Sequence, residues 1–253
     1  MSNDYSENRM IQDGAGHLLE RELGWQVAVA YNTEKLGKDG TFGRTSYREI
    51  LLTRYFRQAL QRLNPWLTSA QLDEAQKKME SHLSIASLMQ INEEKYALIR
   101  DGIPVTVQRP DGRTEEKKAA VIDFQHPNDP TRNHFLAIQE LKIHGDLYRR
   151  RTDIVGFVNG IPLLFIELKK NTVDVQEAYT HNYTDYLDTI PHLFYYNAFL
   201  ILSNGLEAKV GTLGSKYEFF HEWKRLNEKD QGSVALATML RGICKKENFL
   251  VLL

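Results

Sequence analysis

Residues 153–170 read DIVGFVNGIPLLFIELKK. Two apolar runs meet at Asn159-Gly160, a dipeptide typical of the tight turn between two antiparallel strands. The pattern therefore predicts a buried β-hairpin that starts at Asp153 and ends on Glu167-Leu168-Lys169. Because charge beside a buried strand is costly, these charged side chains are candidates for a functional role.

A second triplet of the same form, IQELK, occupies residues 138–142. In a strand, side chains two positions apart share a face, so Glu167 and Lys169 point the same way, and the same holds in the earlier triplet. Only the later triplet has a carboxylate, Asp153, on the strand predicted to pair directly with its own. The acids before the earlier triplet lie beyond a proline-containing loop. The sequence favours the later triplet.

The register of the hairpin decides whether the two acids can meet. A strict two-residue turn pairs Val158 with Ile161 and sets Asp153 opposite Ile166, which turns Asp153 and Glu167 to opposite faces. A three-residue connection or one β-bulge shifts the register by one residue and brings both acids to one face. A shared site therefore predicts a connection longer than the minimal turn.

With that register, two carboxylates and one ammonium group converge at the end of the hairpin. Clustered carboxylates repel each other unless a cation lies between them, and a few oxygen ligands completed by water suit Mg²⁺. Lys169 would then orient or deprotonate the attacking water and offset charge in the transition state of phosphate chemistry. Alternatively, Lys169 simply pairs with Glu167 at a strand end.

Composition restricts the class of protein. The 253 residues carry a net charge of −1, so no global field attracts nucleic acid or membrane. The single cysteine, Cys244, excludes an internal disulfide and a cysteine-built zinc site, which fits a reducing cytosol. The polar start differs from a signal peptide, and apolar stretches are shorter than the roughly 20 residues of a membrane helix. We expect a soluble cytoplasmic protein without membrane contact.

Hydrophobic periodicity predicts one α/β domain around a mixed sheet. A helix over 12–23 leads into a short strand and a glycine-containing loop at 32–44, which lacks the Lys-Ser/Thr of a phosphate loop. Residues 46–100 read as a helical region of two amphipathic helices, 47–63 and 69–89, with a shorter helical piece after them. Strands follow over 101–212, and 213–253 forms a C-terminal helical segment. The closing apolar sextet NFLVLL suggests a fragment of a longer polypeptide.

The segment RRRTDIVGFVNGIPLLFIELKK (149–170) resembles the PD-(D/E)xK nuclease superfamily, and more specifically the R (restriction, HsdR) subunit of type I restriction enzymes. The resemblance runs in order along almost the whole chain. Further matching segments are LGW (23–25), ALQRLNPWL (59–67), INEEKYALIRDGIPV (91–105), IPHLFYYN (190–197) and SNGLEAKVGT (203–212).

This resemblance implies an N-terminal endonuclease domain with a restriction-endonuclease-like fold, which hydrolyses phosphodiester bonds of double-stranded DNA with Mg²⁺. In such enzymes the same subunit continues into ATP-dependent translocase domains and works with methyltransferase and specificity subunits. ATP is therefore expected only through domains absent from this sequence. By position, Asp153 and Glu167 are the metal carboxylates, Lys169 is the catalytic lysine, and the backbone carbonyl of Leu168 is a further metal ligand.

One departure from the family concerns its Q-x-x-x-Y motif on the helix after the lysine. Counting back from Ile190 assigns Tyr186 as the tyrosine, and puts Asn182 where the family has glutamine. The two lie one helical turn apart on one face. Asn182 can still reach a phosphate or Lys169 through water, or Gln176 or His181 compensates for it. Without the family, Tyr186 reads equally well as a packed aromatic residue.

Other candidates rest on weaker signals. The N-terminal helix of the superfamily often supplies an acid near the metal, which nominates Asp13 and Glu20, although a solvated position on the helix surface is the favoured interpretation of each. The basic residues beside the motif predict phosphate contacts that position DNA without reading its sequence, the alternative being a solvated charge run. These DNA-binding candidates are Arg149, Arg150, Arg151 and Lys170.

Two rival functions remain open at this stage. One is a non-catalytic nuclease fold that serves as a docking module, and only Asn182 points that way. The other is a stand-alone repair or junction nuclease, which the apolar C-terminal sextet disfavours.

Overall fold

The computed structural model describes residues 2–129, 131–223 and 235–253. The α-helices are α1 (Ser2–Arg21), α2 (Thr53–Leu63), α3 (Ser69–Glu80), α4 (Leu88–Asp101), α5 (Thr184–Thr189), α6 (Ala235–Ile243) and α7 (Lys246–Leu252). The strands are β1 (Gln26–Val29), β2 (Ile103–Gln108), β3 (Thr114–Ala119), β4 (Phe135–Gln139), β5 (Lys142–His144), β6 (Arg149–Arg151), β7 (Ile154–Val158), β8 (Ile161–Leu168), β9 (Phe199–Ser203), β10 (Ala208–Gly211) and β11 (His221–Glu222).

Seven strands form a mixed sheet in the order β1-β4-β7-β8-β9-β10-β11. The pairs β1–β4 and β8–β9 are parallel, and the other neighbours are antiparallel. Every residue of β4, β7 and β8 is buried, because both faces of these central strands are covered. The predicted α/β class with a central mixed sheet flanked by helices is confirmed.

The central hairpin, β7–β8, has the minimal turn and a bulge. Asn159 and Gly160 both have positive φ, 52° and 82°, as the favoured two-residue hairpin turn requires. Val158 pairs with Ile161, so the predicted longer connection is wrong. One residue, Leu163, is left without a partner because the register shifts between Gly156 and Phe157. This bulge, rather than the turn, performs the one-residue shift.

The neighbouring sequence explains why the bulge lies there. Pro162 has no N–H to donate to the ladder, and proline inside a sheet is found at edges and bulges. On the facing strand, a Cβ at Gly156 would lie 2.9 Å from the Leu164 Cβ and 3.0 Å from the Trp25 ring. Beyond the bulge Ile154 pairs with Ile166, which aligns the preceding Asp153 with the next residue, Glu167.

The helical region at 46–100 contains three helices rather than two long ones and a short piece. The first begins at Thr53 instead of Tyr47, and α3 ends at Glu80. A new helix, α4, begins after Ser87, whose side chain and Gln90 form a capping box. The prediction of a helix continuing through 81–89 is wrong because this Ser-x-x-Gln signal starts a separate helix.

Within the region predicted to form strands, residues 134–144 contain two separate strands, β4 and β5. Glu140 adopts a left-handed backbone with φ of 55°, which ends β4 and turns the chain out of the large sheet. The next residues form β5, which pairs with β6 in a separate two-stranded ribbon. The Glu140 N–H donates to the Asp153 carbonyl oxygen at 2.9 Å, so the ribbon starts beside the central hairpin.

The helical segment after the hairpin is irregular, and the C-terminal segment packs on the sheet. A π-helix over Ala178–Tyr183 precedes α5, and a 3₁₀-helix over Pro191–Phe194 follows it. The closing sextet, except its last residue, lies in α7, where Phe249 contacts the rings of Trp25 and Phe135. Within the described residues, no helix is long and apolar enough to cross a membrane.

Candidate functional site

The bulged register places Asp153 and Glu167 side by side at the end of the central hairpin. The Asp153 Oδ2 atom accepts a hydrogen bond of 2.7 Å from the Leu168 N–H. Glu167 is only 2% exposed, and the charge of Asp153 raises its pKa, so the two carboxylates interact. The structure brings together the two acids that the sequence nominated.

Lys169 joins the acids through an amide rather than directly. Its ammonium group donates to the Asn182 Oδ1 atom, and the Asn182 Nδ2 group donates to the Glu167 Oε1 atom. Asn182 therefore bridges the lysine and the buried acid. No ion pair between Lys169 and Glu167 occurs in the part of the chain that the structure describes, so these contacts differ from a simple pair at a strand end.

Burial raises the pKa of both acids. Burial raises the pKa of Asp153 to about 6, against the lowering effect of the Leu168 N–H and of Lys169. Burial also raises the pKa of Glu167 well above its usual range, and the Asp153 charge adds to this. The Glu167 Oε2 atom is buried and has no hydrogen-bond partner within residues 2–129, 131–223 and 235–253. Such an orphaned oxygen is costly unless a cation or another donor reaches it.

This donor set fits a hard divalent cation. Two neighbouring buried carboxylates, both with raised pKa values, gain most from a positive ion between them, and oxygen ligands suit Mg²⁺. Among the described residues no group of three or more His, Cys, Asp or Glu side chains is placed to hold a metal. Ligands beyond the pair would thus come from main-chain oxygens or water. The Leu168 N–H, held by Asp153, fixes the peptide unit beside the pair.

Tyr186 is a buried residue that holds the strand leading into the site. Its hydroxyl donates to the Arg151 carbonyl oxygen at 3.1 Å, and its ring meets Phe165 edge-on. Burial, and then the charges of Glu167 and Asp153, raise the pKa of this hydroxyl, so it remains a neutral donor. The ring of Tyr186 is thus packed in the core, as expected for an aromatic residue, while its hydroxyl contacts the strand beside the candidate site.

The local helix geometry delivers Asn182 to the pair. Asn182 lies in the π-helix, and such wide turns change which residues share a face and are frequent at functional sites. The alternatives considered for it, Gln176 and His181, are both exposed, and His181 pairs with Glu177. Asn182 itself occupies the bridging position.

The N-terminal helix contacts the site through an amide rather than an acid. Asp13 and Glu20 are exposed and lie near Arg9 and Arg21, at 3.9 and 3.5 Å. The structure does not bring either acid into contact with Asp153 or Glu167, because both point to the solvent side of α1.

The residue of this helix that reaches the site was missed from the sequence. The buried Gln12 donates from Nε2 to the Asp153 carbonyl oxygen at 2.9 Å. In return the Gln139 Nε2 group donates to the Gln12 carbonyl oxygen at 2.8 Å. A side chain at Gly16 would collide with Gln139, since a Cβ there lies 2.6 Å from its Nε2. The sequence signal for this contact is Gly16, one helical turn after Gln12, which indicates a close approach of α1 to a neighbouring element.

The predicted DNA-binding residues separate into two groups. Arg150 is held by two hydrogen bonds to Asp185, at 2.5 and 2.7 Å, on the opposite face of β6 from its neighbours. Arg149 and Arg151 are exposed on the other face, and Lys170 is half-buried after the hairpin. Because side chains alternate along a strand, the three consecutive arginines do not all lie on one face.

A mixed α/β sheet with an acidic pair and a lysine at the end of its central hairpin defines a protein of the restriction-endonuclease-like class. The chain belongs to the family described as "Type I restriction enzyme R protein N terminus", whose model matches residues 4–219. The recognised family and its place within type I restriction enzymes are thereby confirmed.

Curated relatives agree with the family. The type I restriction enzyme HindI endonuclease subunit of Haemophilus influenzae is 30% identical over 239 residues, 91% of this chain and 22% of that protein. The MjaIXP endonuclease subunit of Methanocaldococcus jannaschii is 28% identical over 196 residues, 76% of this chain and 18% of its own length. The chain thus spans about a fifth of the length of these relatives.

Proposed function

We propose that residues 1–253 form one Mg²⁺-dependent endonuclease domain of a type I restriction enzyme R subunit, which hydrolyses phosphodiester bonds of double-stranded DNA. The strand-rich part over 101–212 carries the site, 46–100 is its helical subregion, and 213–253 leads toward the translocase region. The single observation that carries the proposal is the orphaned Glu167 Oε2 atom beside a second raised-pKa acid, Asp153.

In this proposal Asp153 and Glu167 hold the ion, with the carbonyl oxygen of Leu168 as a further ligand. The ion, when bound, neutralises charge on the scissile phosphate and favours ionisation of water. Both acids must lose their protons to bind the ion. Because their pKa values are raised, protons compete with the ion more strongly here than at ordinary carboxylates.

In the same proposal Lys169 acts on the attacking water and the phosphate, and Asn182 positions Lys169. The ammonium group of Lys169 orients the attacking water and offsets the negative charge that develops on phosphate oxygens. Asn182 holds that ammonium group in place and donates to Glu167, so a single amide sets the spacing between metal ligand and lysine. Tyr186 fixes the strand before Asp153 from behind.

The domain would operate within a larger assembly. We propose methyltransferase and specificity subunits as partners, ATP use only in other domains of the same polypeptide, and a cytoplasmic location. The 1–253 sequence contains no G-x4-G-K-S/T loop, so the domain itself should not bind ATP through such a motif.

Calorimetric titration of Mg²⁺ tests the site without depending on cleavage. We expect heat of binding with the wild-type chain and its loss with Glu167→Gln, while Glu116→Gln, an exposed acid of β3, binds like wild type. In the assembled full-length enzyme, Asp153→Asn and Lys169→Met should abolish plasmid nicking. Metal binding that survives Glu167→Gln, or nicking that survives both variants, rules out the assignment; absent metal binding with the wild type favours a docking module.

A further inference from the structure

The β5–β6 ribbon concentrates positive charge on one of its two faces. Its register pairs Lys142 with Arg151, Ile143 with Arg150, and His144 with Arg149. Since side chains alternate along each strand, one face carries the four basic residues, which we call the ribbon face. The ribbon face consists of Lys142, His144, Arg149 and Arg151. The other face carries the buried Ile143 and Arg150 with its Asp185 partner.

Facing like charges destabilise a strand pair, and the residues that the structure describes supply little to offset them. Arg151 lies 3.3 Å from Glu140, which partly balances it. Lys142 and Arg149 form no ion pair with any residue that the structure describes. Burial and then the charges of Arg149 and other nearby cations lower the pKa of His144, a sign of local positive potential. A polyanion would relieve this repulsion.

Two aromatic rings contact the basic side chains of the ribbon face. The Tyr31 ring lies 5.1 Å from the Lys142 Nζ atom and 4.6 Å from the Arg151 Cζ atom, so one ring contacts both facing cations. The Tyr47 ring packs against His144 at 4.8 Å. These contacts limit the freedom of the long side chains, which lowers the entropy lost when they bind a ligand.

The ribbon face is held in a fixed position relative to the acidic pair. Thr152, between Arg151 and Asp153, is fully buried, and its N–H donates to the Leu141 carbonyl oxygen at 3.1 Å. On the other side, the buried Arg44 guanidinium bonds both to Glu34 and to the Lys142 carbonyl oxygen, at 3.1 Å. Both strands of the ribbon are therefore anchored within a few residues of the candidate site.

We infer that the ribbon face, with Tyr31, binds consecutive phosphates of the double-stranded DNA that enters the site. The inference rests on the proposed function. It extends the DNA-binding residues predicted from the sequence, Arg149 and Arg151, to Lys142, His144 and Tyr31, and it leaves Arg150 as a structural residue. Contacts of this kind attract any DNA sequence and fix its direction across the acidic pair.

A salt-dependence measurement tests this surface apart from the metal site. A fluorescein-labelled duplex of mixed sequence is titrated with the chain in EDTA at several KCl concentrations, and binding is followed by anisotropy. The variant Lys142→Gln/Arg149→Gln removes two cations that have no ion-pair partner among the described residues. We expect the slope of log affinity against log salt to fall by about 2, from roughly 0.9 for each lost phosphate contact.

Two controls separate charge from structure. Lys142→Arg/Arg149→Lys keeps both charges and should retain the wild-type slope. Arg113→Gln/Lys118→Gln removes two exposed cations from the other two-stranded ribbon, β2–β3, and should also retain it. An unchanged slope in the Lys142/Arg149 variant, an equal fall in the Arg113/Lys118 variant, or no duplex binding by wild type each overturns the inference.

The outcomes also distinguish the inference from the nuclease proposal. Loss of duplex binding in the ribbon variant supports the inference even if the assembled enzyme proves inactive in plasmid nicking, which would sink only the proposed chemistry. If poly-glutamate binds the ribbon face as tightly as the duplex does, the surface belongs to an acidic protein partner and the DNA inference fails.

Discussion

The Asp153 carboxylate accepts a hydrogen bond from the main-chain N–H of Leu168 across the central hairpin. This contact requires the one-residue shift that the bulge at Leu163 introduces, because the unshifted register would set Asp153 opposite Ile166. The candidate site thus depends on an irregularity in the strand pair.

Gly156 allows that irregularity, so Gly156→Ala should destabilise the protein. The added Cβ would lie 2.9 Å from the Leu164 Cβ and 3.0 Å from Trp25, and overpacking of this kind costs about 1–3 kcal/mol. Urea unfolding of the metal-free chain measures the change. Gly14→Ala is the control, since nothing lies within 4 Å of its Cβ in α1 and alanine favours a helix. Equal effects of the two substitutions would contradict the packing argument.

Asn182→Ala should weaken both Mg²⁺ binding and cleavage, by about 10–100-fold, as is usual when a residue that orients metal ligands is lost. The substitution removes the donor to Glu167 and the acceptor of Lys169 together. It should also raise the pKa of Glu167 further, because the Asn182 hydrogen bond lowers it. Gln176→Ala, on the exposed side of the same segment, is the matched control. Wild-type metal affinity in Asn182→Ala would show that the amide bridge is dispensable.

The pH dependence of stability should carry the signature of Asp153. Its pKa is raised from 3.8 to about 6, so the folded metal-free chain holds a proton that the unfolded chain releases. Its stabilising contribution is complete below pH 4 and is lost as pH rises through about 6. At pH 7 and without metal, Asp153→Asn should therefore be more stable than wild type, and the advantage should disappear at low pH.

The measurement for Asp153 is the difference between the two unfolding free energies across pH, with EDTA present. Asp123→Asn provides the opposite sign, since hydrogen bonds from Arg132 and His126 lower the pKa of Asp123 to about 2 against the effect of burial. That variant should be less stable than wild type at pH 7. A pH-independent difference for Asp153→Asn would refute the raised pKa.

Glu34→Gln should cost about 3–5 kcal/mol of unfolding free energy, because it leaves the fully buried guanidinium of Arg44 without its counter-charge. Denaturant unfolding reports the loss. Asp146→Asn breaks the exposed pair with Arg48 and should change stability by no more than about 0.5 kcal/mol. Because Arg44 also bonds to β5, Glu34→Gln should weaken duplex binding by the ribbon face too.

The central hairpin is predictable from the sequence because both its turn chemistry and its apolar pattern point to one structure. The position of the bulge is not, since a strand that is buried on both faces shows no alternation of apolar and polar residues that would reveal a change of register. Pro162 was the local hint. The three arginines were grouped together although strand alternation alone separates Arg150 from the other two.

Gln12 illustrates what a pattern of residue types cannot reveal. Reasoning about metal sites selects acids on the N-terminal helix, whereas the side chain that contacts the site is an amide bonded to a main-chain oxygen. Such a contact requires no charge and no repeat, and it depends on how α1 lies against the sheet. The start of α4, by contrast, is predictable from the sequence, because Ser87 and Gln90 have the spacing of a capping box.

The carbonyl oxygen of Asp153 accepts hydrogen bonds from both Gln12 and Glu140, which belong to different elements. The backbone of this acid is therefore immobilised by the protein before any ion arrives. When a cation binds, only side-chain torsions of this acid have to be ordered. Little of the binding free energy is therefore lost to ordering the backbone.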